Sequence, residues 1–247
     1  MRVSVITVCF NSAATIENTL RSVANQTWSD IEHIVVDGAS TDATLTILNQ
    51  YKARLGKLVS EPDKGVYDAM NKGVGLATGD VIAFLNADDV YKDDSVIERV
   101  VQQMQTDRLD ALYGNVEFFH PGRPLQVVRT YDSGRFNPKR LGWGWMPAHP
   151  ALFVRRRVFE HHGKFSEGYR IAGDFEFVAR IFKSGKLKYK HLAEVLVRMQ
   201  TGGLSTSGLK ATYLLNSEIL RACRQNGIRT NWLMILSKYF FKVRELF

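Results

Sequence analysis

The stretch "DVIAFLNADDVY", residues 80–91, runs an apolar segment straight into Asn86, Asp88 and Asp89. Adjacent carboxylates behind a run that reads as a buried strand are costly, because each loses water and each opposes the other's charge. Two arrangements relieve that cost. Either the acids form a polar turn that caps a helix, or they hold a hard cation such as Mg²⁺ or Mn²⁺, whose remaining ligands are oxygens and often phosphate oxygens. The other apolar runs end in polar groups too. Phe10, Asn11 and Ser12 follow the first, Asp37 closes the second, and Glu61, Pro62 and Asp63 follow the third. Several acids therefore converge on one edge, where a shared cation would neutralise them.

The elements that must position these groups alternate between two periodicities. "VSVITVCF", "IEHIVVD", "KLVSE" and "DVIAFL" read as strands. Between them, Ile16, Leu20 and Val23 recur at helical spacing, and "KGVYDAMNKGVGLA" and "DSVIERVVQQMQ" also read as helices. "GASTDATLTILNQY" turns into a helix with Ser40 or Thr41 as the expected N-cap. Such alternation predicts an α/β fold with a mostly parallel sheet covered on both faces, and parallel sheets bind ligands beyond the carboxyl ends of their strands. Near residue 120 the pattern changes: "HPGRPL" predicts a hairpin turn and "LQVVRTYD" a strand. "GDFEFVARIFKSG" then predicts a helix that stops at Gly185, and from about Lys210 the chain reads as helical to its end.

Composition narrows the function classes. The 247 residues are 45% hydrophobic and 23% charged, which excludes a disordered or membrane-spanning chain. No apolar run reaches the roughly 18 residues that a membrane span needs. "MRVSVITVCF" reads as a first strand and not as a signal peptide. Two cysteines, Cys9 and Cys223, predict free thiols and a reducing cytoplasm. Residues 1–128 hold 11 Lys/Arg against 17 Asp/Glu, a net of −6, while residues 129–247 hold 22 against 8, a net of +14. The second half is therefore suited to an anionic surface partner.

Neither the G-x-G-x-x-G dinucleotide signature nor the P-loop lysine pattern is present. Together, "SVITVCFNSAATIENTLRSVANQT", "IVVDGASTDAT", "EPDKGVYDAMNKGVGLATGDVIAFLNADD" and "AGDFEF" instead resemble the family 2 glycosyltransferases with the GT-A fold. The likeness is greatest to bacterial members that build surface polysaccharides such as O-antigen. It spans roughly residues 1–205, a catalytic domain with a nucleotide-binding half (1–120) and an acceptor-binding half (121–205), followed by a C-terminal helical extension (206–247). The resemblance implies an inverting transfer of a sugar from a nucleoside-diphosphate donor, most simply a UDP-sugar, to a hydroxyl of a lipid-linked saccharide acceptor, with Mn²⁺ or Mg²⁺ as cofactor.

Roles follow by motif. Asp37 matches the carboxylate that meets the donor's base, and Phe10 and Asn11 lie in the donor-binding turn after the first strand. Asp63, Lys64 and Gly65 match the segment passing the base and ribose, and Asn71 the stretch lining the diphosphate and sugar. "NADD" aligns with the D-x-D metal motif, with Asn86 at the ribose-contacting position and Asp88 as the metal ligand. Asp174 matches the general base, with Glu176 as second choice, because a sugar hydroxyl is a poor nucleophile until a nearby carboxylate takes its proton. His149 falls in a segment near the acceptor. Trp143 and Trp145, in "GWGWMP", offer an apolar platform for an acceptor sugar. "MQTGGLSTSG", residues 199–208, reads as a flexible loop; Gln200 stands where many relatives carry a histidine, so a third metal ligand from it stays open.

"NWLMILSKYFFKVRELF" closes the chain as a basic, aromatic, amphipathic stretch. Its composition suits the interface of an anionic membrane, which would place the protein at the cytoplasmic face. Packing on its own domain, or on a second copy in a homodimer, is the alternative. A sugar nucleotidylyltransferase is a rival enzyme class, but "CFNSAATIEN" lacks the Gly-rich, basic loop such a chemistry needs. A non-catalytic basic module for membrane or nucleic acid is the other rival; the acidic first half argues against nucleic acid.

Overall fold

The computed structural model describes residues 1–202 and 208–243. Nine strands form one sheet: β1 (Val3–Cys9), β2 (Ile31–Asp37), β3 (Lys57–Ser60), β4 (Val81–Phe84), β5 (Val90–Tyr91), β6 (Ala111–His120), β7 (Arg123–Tyr131), β8 (Leu152–Arg155) and β9 (Tyr189–Gln200). Their spatial order is β3-β2-β1-β4-β8-β6-β9-β5, with β7 paired to β6. The first four strands pair in parallel, as their helical crossovers require. Beyond β4 the sheet is mixed: β8 is antiparallel to both β4 and β6, whereas β9 runs parallel to β6. The hairpin expected at "HPGRPL" joins β6 to β7, with Gly122 at φ 74° in its turn.

Helices α1 (Ile16–Ala24), α2 (Thr44–Tyr51), α3 (Val66–Leu76), α4 (Val96–Thr106), α5 (Arg156–His162) and α6 (Gly173–Phe182) cover the sheet. Alternation along β1 shows why both faces must be covered. Ile6 joins a core with α3 and α6, while Val3 and Val5 join a second core with α4. Cys9 joins a third with Ile16 and Leu20 of α1. The helical stripe read at Ile16, Leu20 and Val23 is the buried face of α1. Both thiols are free and buried.

Two local readings are corrected. Neither Ser40 nor Thr41 caps α2. The helix starts at Thr44, whose backbone N–H donates to Asp42 at 2.9 Å, because Ser40 is drawn away to Asp37. The chain after residue 210 is also not one helix. It forms α7 (Leu209–Gln225) and α8 (Trp232–Val243), broken by a turn in which Gly227 takes φ 69°. Ile219, Leu220, Ala222 and Cys223 of α7, with Ile235 of α8, lie in the same core as α3 and α6. The expected C-terminal extension thus shares the core of the catalytic domain.

Candidate active site

The carboxyl ends of β1 and β4 open into a cleft of about 780 Å³. Its lining includes Phe10, Asn11, Asn86, Asp88, His149 and Asp174, six of the residues expected from sequence. β4 stops at Phe84, and Leu85 is still wholly buried, so the chain leaves the core at Asn86 and delivers Asp88 to the cleft. Asp88 is half-buried, and no other described residue gives its carboxylate a hydrogen bond. Asp89 is 1% exposed. It accepts from Asn86 Nδ2 at 3.1 Å and from the Gln200 N–H at 3.3 Å. Burial raises both carboxyls above their ordinary range, and the charge of Asp88 pushes Asp89 further.

A divalent cation fits this donor set. Asp88 is a carboxylate without a partner, Asp89 lies beside it without a compensating positive charge, and the cleft leaves room for diphosphate oxygens to complete the ligand shell. Among the described residues no three His, Cys, Asp or Glu side chains gather as a closed metal cage. Such a cation would thus take only part of its ligands from the protein, as Mg²⁺ commonly does.

Asp174 enters from α6. Gly173 makes its approach possible, since a Cβ there would lie 2.7 Å from the Tyr67 ring. Tyr67, on α3, donates to the Ile171 carbonyl at 2.6 Å and lies 3.3 Å from Asp174 Oδ1, which also accepts from the Phe175 N–H at 2.8 Å. Burial raises the Asp174 carboxyl; the neighbouring His149 and these hydrogen bonds oppose the rise without cancelling it. His149 is itself held by ring contacts, stacked on Phe84 with centroids 5.2 Å apart; burial lowers its pKa, and the nearby Asp174 charge opposes that shift. Glu176, the second choice for the base, points elsewhere: it is tied to Arg180, Ser166 and Asn226 and does not line the cleft.

Other expected residues sit outside the lining. Asp37 is wholly buried, with its oxygens engaged by Ser60 Oγ at 2.7 Å and by the N–H and hydroxyl of Ser40. In this structure these bonds fix the turn after β2. Asn71 uses both ends of its amide on the Phe165 backbone, donating and accepting at 2.9 Å, which pins α3 to the segment before α6. Lys64 is exposed, and its N–H donates to Asp68; Gly65, at φ 129°, is the N-cap residue just before α3. Asp63 comes closer to the site. A Cβ on Gly38 would lie 2.4 Å from its carboxylate and 3.5 Å from the Phe10 ring, so Asp63 stands beside Phe10 at the cleft's rim. Trp145 is buried and Trp143 is 41% exposed, but neither lines the cleft, so no tryptophan platform forms there. Residues 203–207 of the expected loop lie outside the described residues.

Sequence reasoning missed the wall opposite in chain order. Phe118, Arg129 and Tyr131 from β6 and β7 line the cleft, with the Arg129 guanidinium 4.2 Å from the Phe118 ring centroid. The only advance signal was the hairpin that carries them.

The model of the family described as "Glycosyl transferase family 2" matches residues 4–163. This chain belongs to that family. A relative from Mycobacterium bovis (strain BCG / Pasteur 1173P2), a "PGL/p-HBAD biosynthesis glycosyltransferase", is 34% identical over 219 residues, covering 85% of this chain and 82% of the relative. The "Glycosyltransferase AglE" of Haloferax volcanii is 32% identical over 199 residues, 76% of this chain and 64% of that protein. Among solved structures, Staphylococcus aureus TarS in complex with UDP-GlcNAc is similar with a TM-score of 0.67 at 20% identity, covering 89% of this chain and 67% of that one. The Pyrobaculum calidifontis mannosyltransferase PcManGT, in complex with GDP-Man and Mn²⁺, gives 0.64 at 19% identity, with 89% and 64% covered. These likenesses establish a GT-A fold, and the chain is a glycosyltransferase.

Proposed function

We propose that this glycosyltransferase moves a sugar, with inversion, from a UDP-sugar to a hydroxyl of a lipid-linked saccharide. The observation that carries the reading is the meeting of Asp88 and Asp174, from separate halves of the fold, in one cleft. UDP is favoured because TarS is the similar structure described with UDP-GlcNAc and with UDP. Phe10, 60% exposed at the mouth, offers its ring to the base, with Asp63 beside it for a ribose or base hydrogen bond. Asn86 presents an amide to the donor, and Asp88 would hold Mn²⁺ or Mg²⁺. When bound, that ion neutralises negative charge on the departing diphosphate.

Asp174 does the proton work. Its carboxylate accepts the acceptor hydroxyl's proton while that oxygen bonds to the anomeric carbon. The bond from that carbon to the donor phosphate oxygen breaks, and the nucleoside diphosphate leaves with the electron pair. One displacement inverts the anomeric centre. A pKa raised by burial makes Asp174 a stronger base than a solvated aspartate, while burial weakens His149 as a base.

The lipid-linked acceptor draws support from the C-terminal surface. There Leu209, Tyr213, Trp232, Leu233 and Leu236 are exposed, and Tyr213 stacks on Trp232 at 5.8 Å. No helix among the described residues is long and apolar enough to cross a membrane, so this surface suits peripheral contact. A panel of UDP- and GDP-sugars with Mn²⁺ or Mg²⁺, scored by nucleoside-diphosphate release in the presence of lipid-linked acceptors, tests the reaction. Release with a GDP-sugar alone, or unaltered by EDTA, contradicts the donor or the metal assignment. Loss of anionic-liposome flotation in Leu233→Asp supports the membrane contact, and undiminished flotation rejects it.

A further inference from the structure

Glu218 lies on α7, outside the segment matched by the family model, and does not line the cleft. Its side chain is almost wholly buried, and it spends both oxygens on one short segment. Oε1 accepts from the Arg170 N–H at 2.9 Å; Oε2 accepts from the N–H groups of Ile171 and Ala172, each at 2.9 Å. Those three residues lead directly into Gly173 and Asp174. Arg170 and Ile171 themselves line the cleft. The Ile171 carbonyl receives the Tyr67 hydroxyl, so the segment is gripped from α7 on its N–H side and from α3 on its carbonyl side.

A buried carboxylate that loses water needs this number of donors. The converse matters more for function. Among the described residues Glu218 is the carboxylate that these three successive N–H groups ahead of α6 bind. Arg221, 3.8 Å from Glu218, extends the same grip by donating to the Gly168 carbonyl at 2.6 Å.

We infer that Glu218 is a positioning residue for the transfer: through three backbone hydrogen bonds, α7 fixes where Asp174 stands relative to the acceptor. This rests on Asp174 being the base. A displacement of about 1 Å can cost on the order of 100-fold in rate, so the clamp's effect belongs in kcat and not in donor binding, whose residues follow β1, β3 and β4. Loosening the segment also admits water to Asp174. Its pKa then drops toward that of a solvated carboxylate, and the acid limb of the kcat profile moves to lower pH.

The test is Glu218→Gln in the full-length chain, assayed as UDP release from the UDP-sugar that the donor panel selects, with Mn²⁺. The amide keeps shape and volume but turns an NH₂ toward backbone N–H groups. The expected result is kcat lowered roughly 10- to 100-fold per folded molecule, UDP affinity changed less than about twofold, and an acid limb shifted downward. Native kcat with an unmoved limb, accompanied only by a lower Tm, overturns the inference. Should the glutamine variant not fold, Glu218→Asp replaces it with the same readouts, since it keeps the charge on a shorter stem. Asp174→Asn, run alongside, separates the two claims. An active Asp174→Asn protein removes the base assignment, whereas a dead Asp174→Asn with a fully active Glu218→Gln removes only the clamp.

Discussion

Buried carboxylates occupy both ends of the parallel half of the sheet, and they are treated in opposite ways. At the amino end, Glu32 of β2 accepts from Ser4 Oγ at 2.6 Å, from the Thr78 N–H at 2.8 Å and from Thr78 Oγ1 at 2.9 Å, with Arg2 3.8 Å away. These partners outweigh burial and hold its carboxyl below the ordinary range. At the carboxyl end, Asp88 has no such partner, Asp89 has two weak ones, and both carboxyls are raised. One carboxylate is satisfied by the protein and stitches β1, β2 and the turn before β4 together. The other pair is left in want of positive charge, which a ligand can bring. Saturation marks the structural acid, and its absence marks the functional one.

The contrast can be broken or sharpened by experiment. Asp174→Asn should have the largest effect, cutting turnover about 10²–10⁴-fold while UDP still binds with Mn²⁺, as steady-state kinetics beside calorimetry will show. Glu32→Gln should cost about 1–3 kcal/mol of stability by urea unfolding and leave kcat untouched, because its loss strands donors far from the cleft. Asp89→Asn should do the reverse. It removes a raised, repelling carboxyl, so Tm in EDTA should rise by a few degrees, while the stabilisation that Mn²⁺ gives the native protein should shrink. Phe10→Ala should weaken UDP binding about tenfold if its exposed ring stacks on the base.

The pH dependence separates the two ends as well. Glu32, with a lowered pKa, contributes stability that is complete above its unfolded pKa and is lost as pH falls through its folded pKa. Asp88 and Asp89, with raised pKa values, bind protons more tightly folded than unfolded. They subtract stability above their folded pKa, and that loss is relieved as pH falls toward the unfolded value. For Asp174 the same direction places the acid limb of kcat above the ordinary aspartate range. Unfolding midpoints of Glu32→Gln and Asp89→Asn across mildly acidic pH should therefore diverge from the native protein in opposite senses.

Much of this was legible in the residues. The strand–helix alternation and the acids at strand ends located the sheet edge and put Asp88 on it, because apolar runs that stop abruptly must release their polar successors to one side. Asp174 and His149 were named by motif, and their burial and their mutual electrostatic influence came from packing. What the sequence did not disclose was which polar side chains are spoken for. Asp37 and Asn71 have the right chemistry for a ligand, and in this structure Ser40, Ser60 and the Phe165 backbone engage their polar atoms. Such engagement depends on partners 3 to 94 positions away. The same holds for Phe118 and Arg129, brought to the cleft by a hairpin, and for Glu218, brought to the Asp174 segment by a helix that sequence had set apart as an extension.

The most direct test of the central claim is calorimetric titration of UDP into the native protein and Asp88→Asn, each with Mn²⁺ and with EDTA. The account predicts tight binding only for the native protein with Mn²⁺, with Asp88→Asn in Mn²⁺ matching the native protein in EDTA, at least about tenfold weaker. Equal UDP affinity under all four conditions would contradict it.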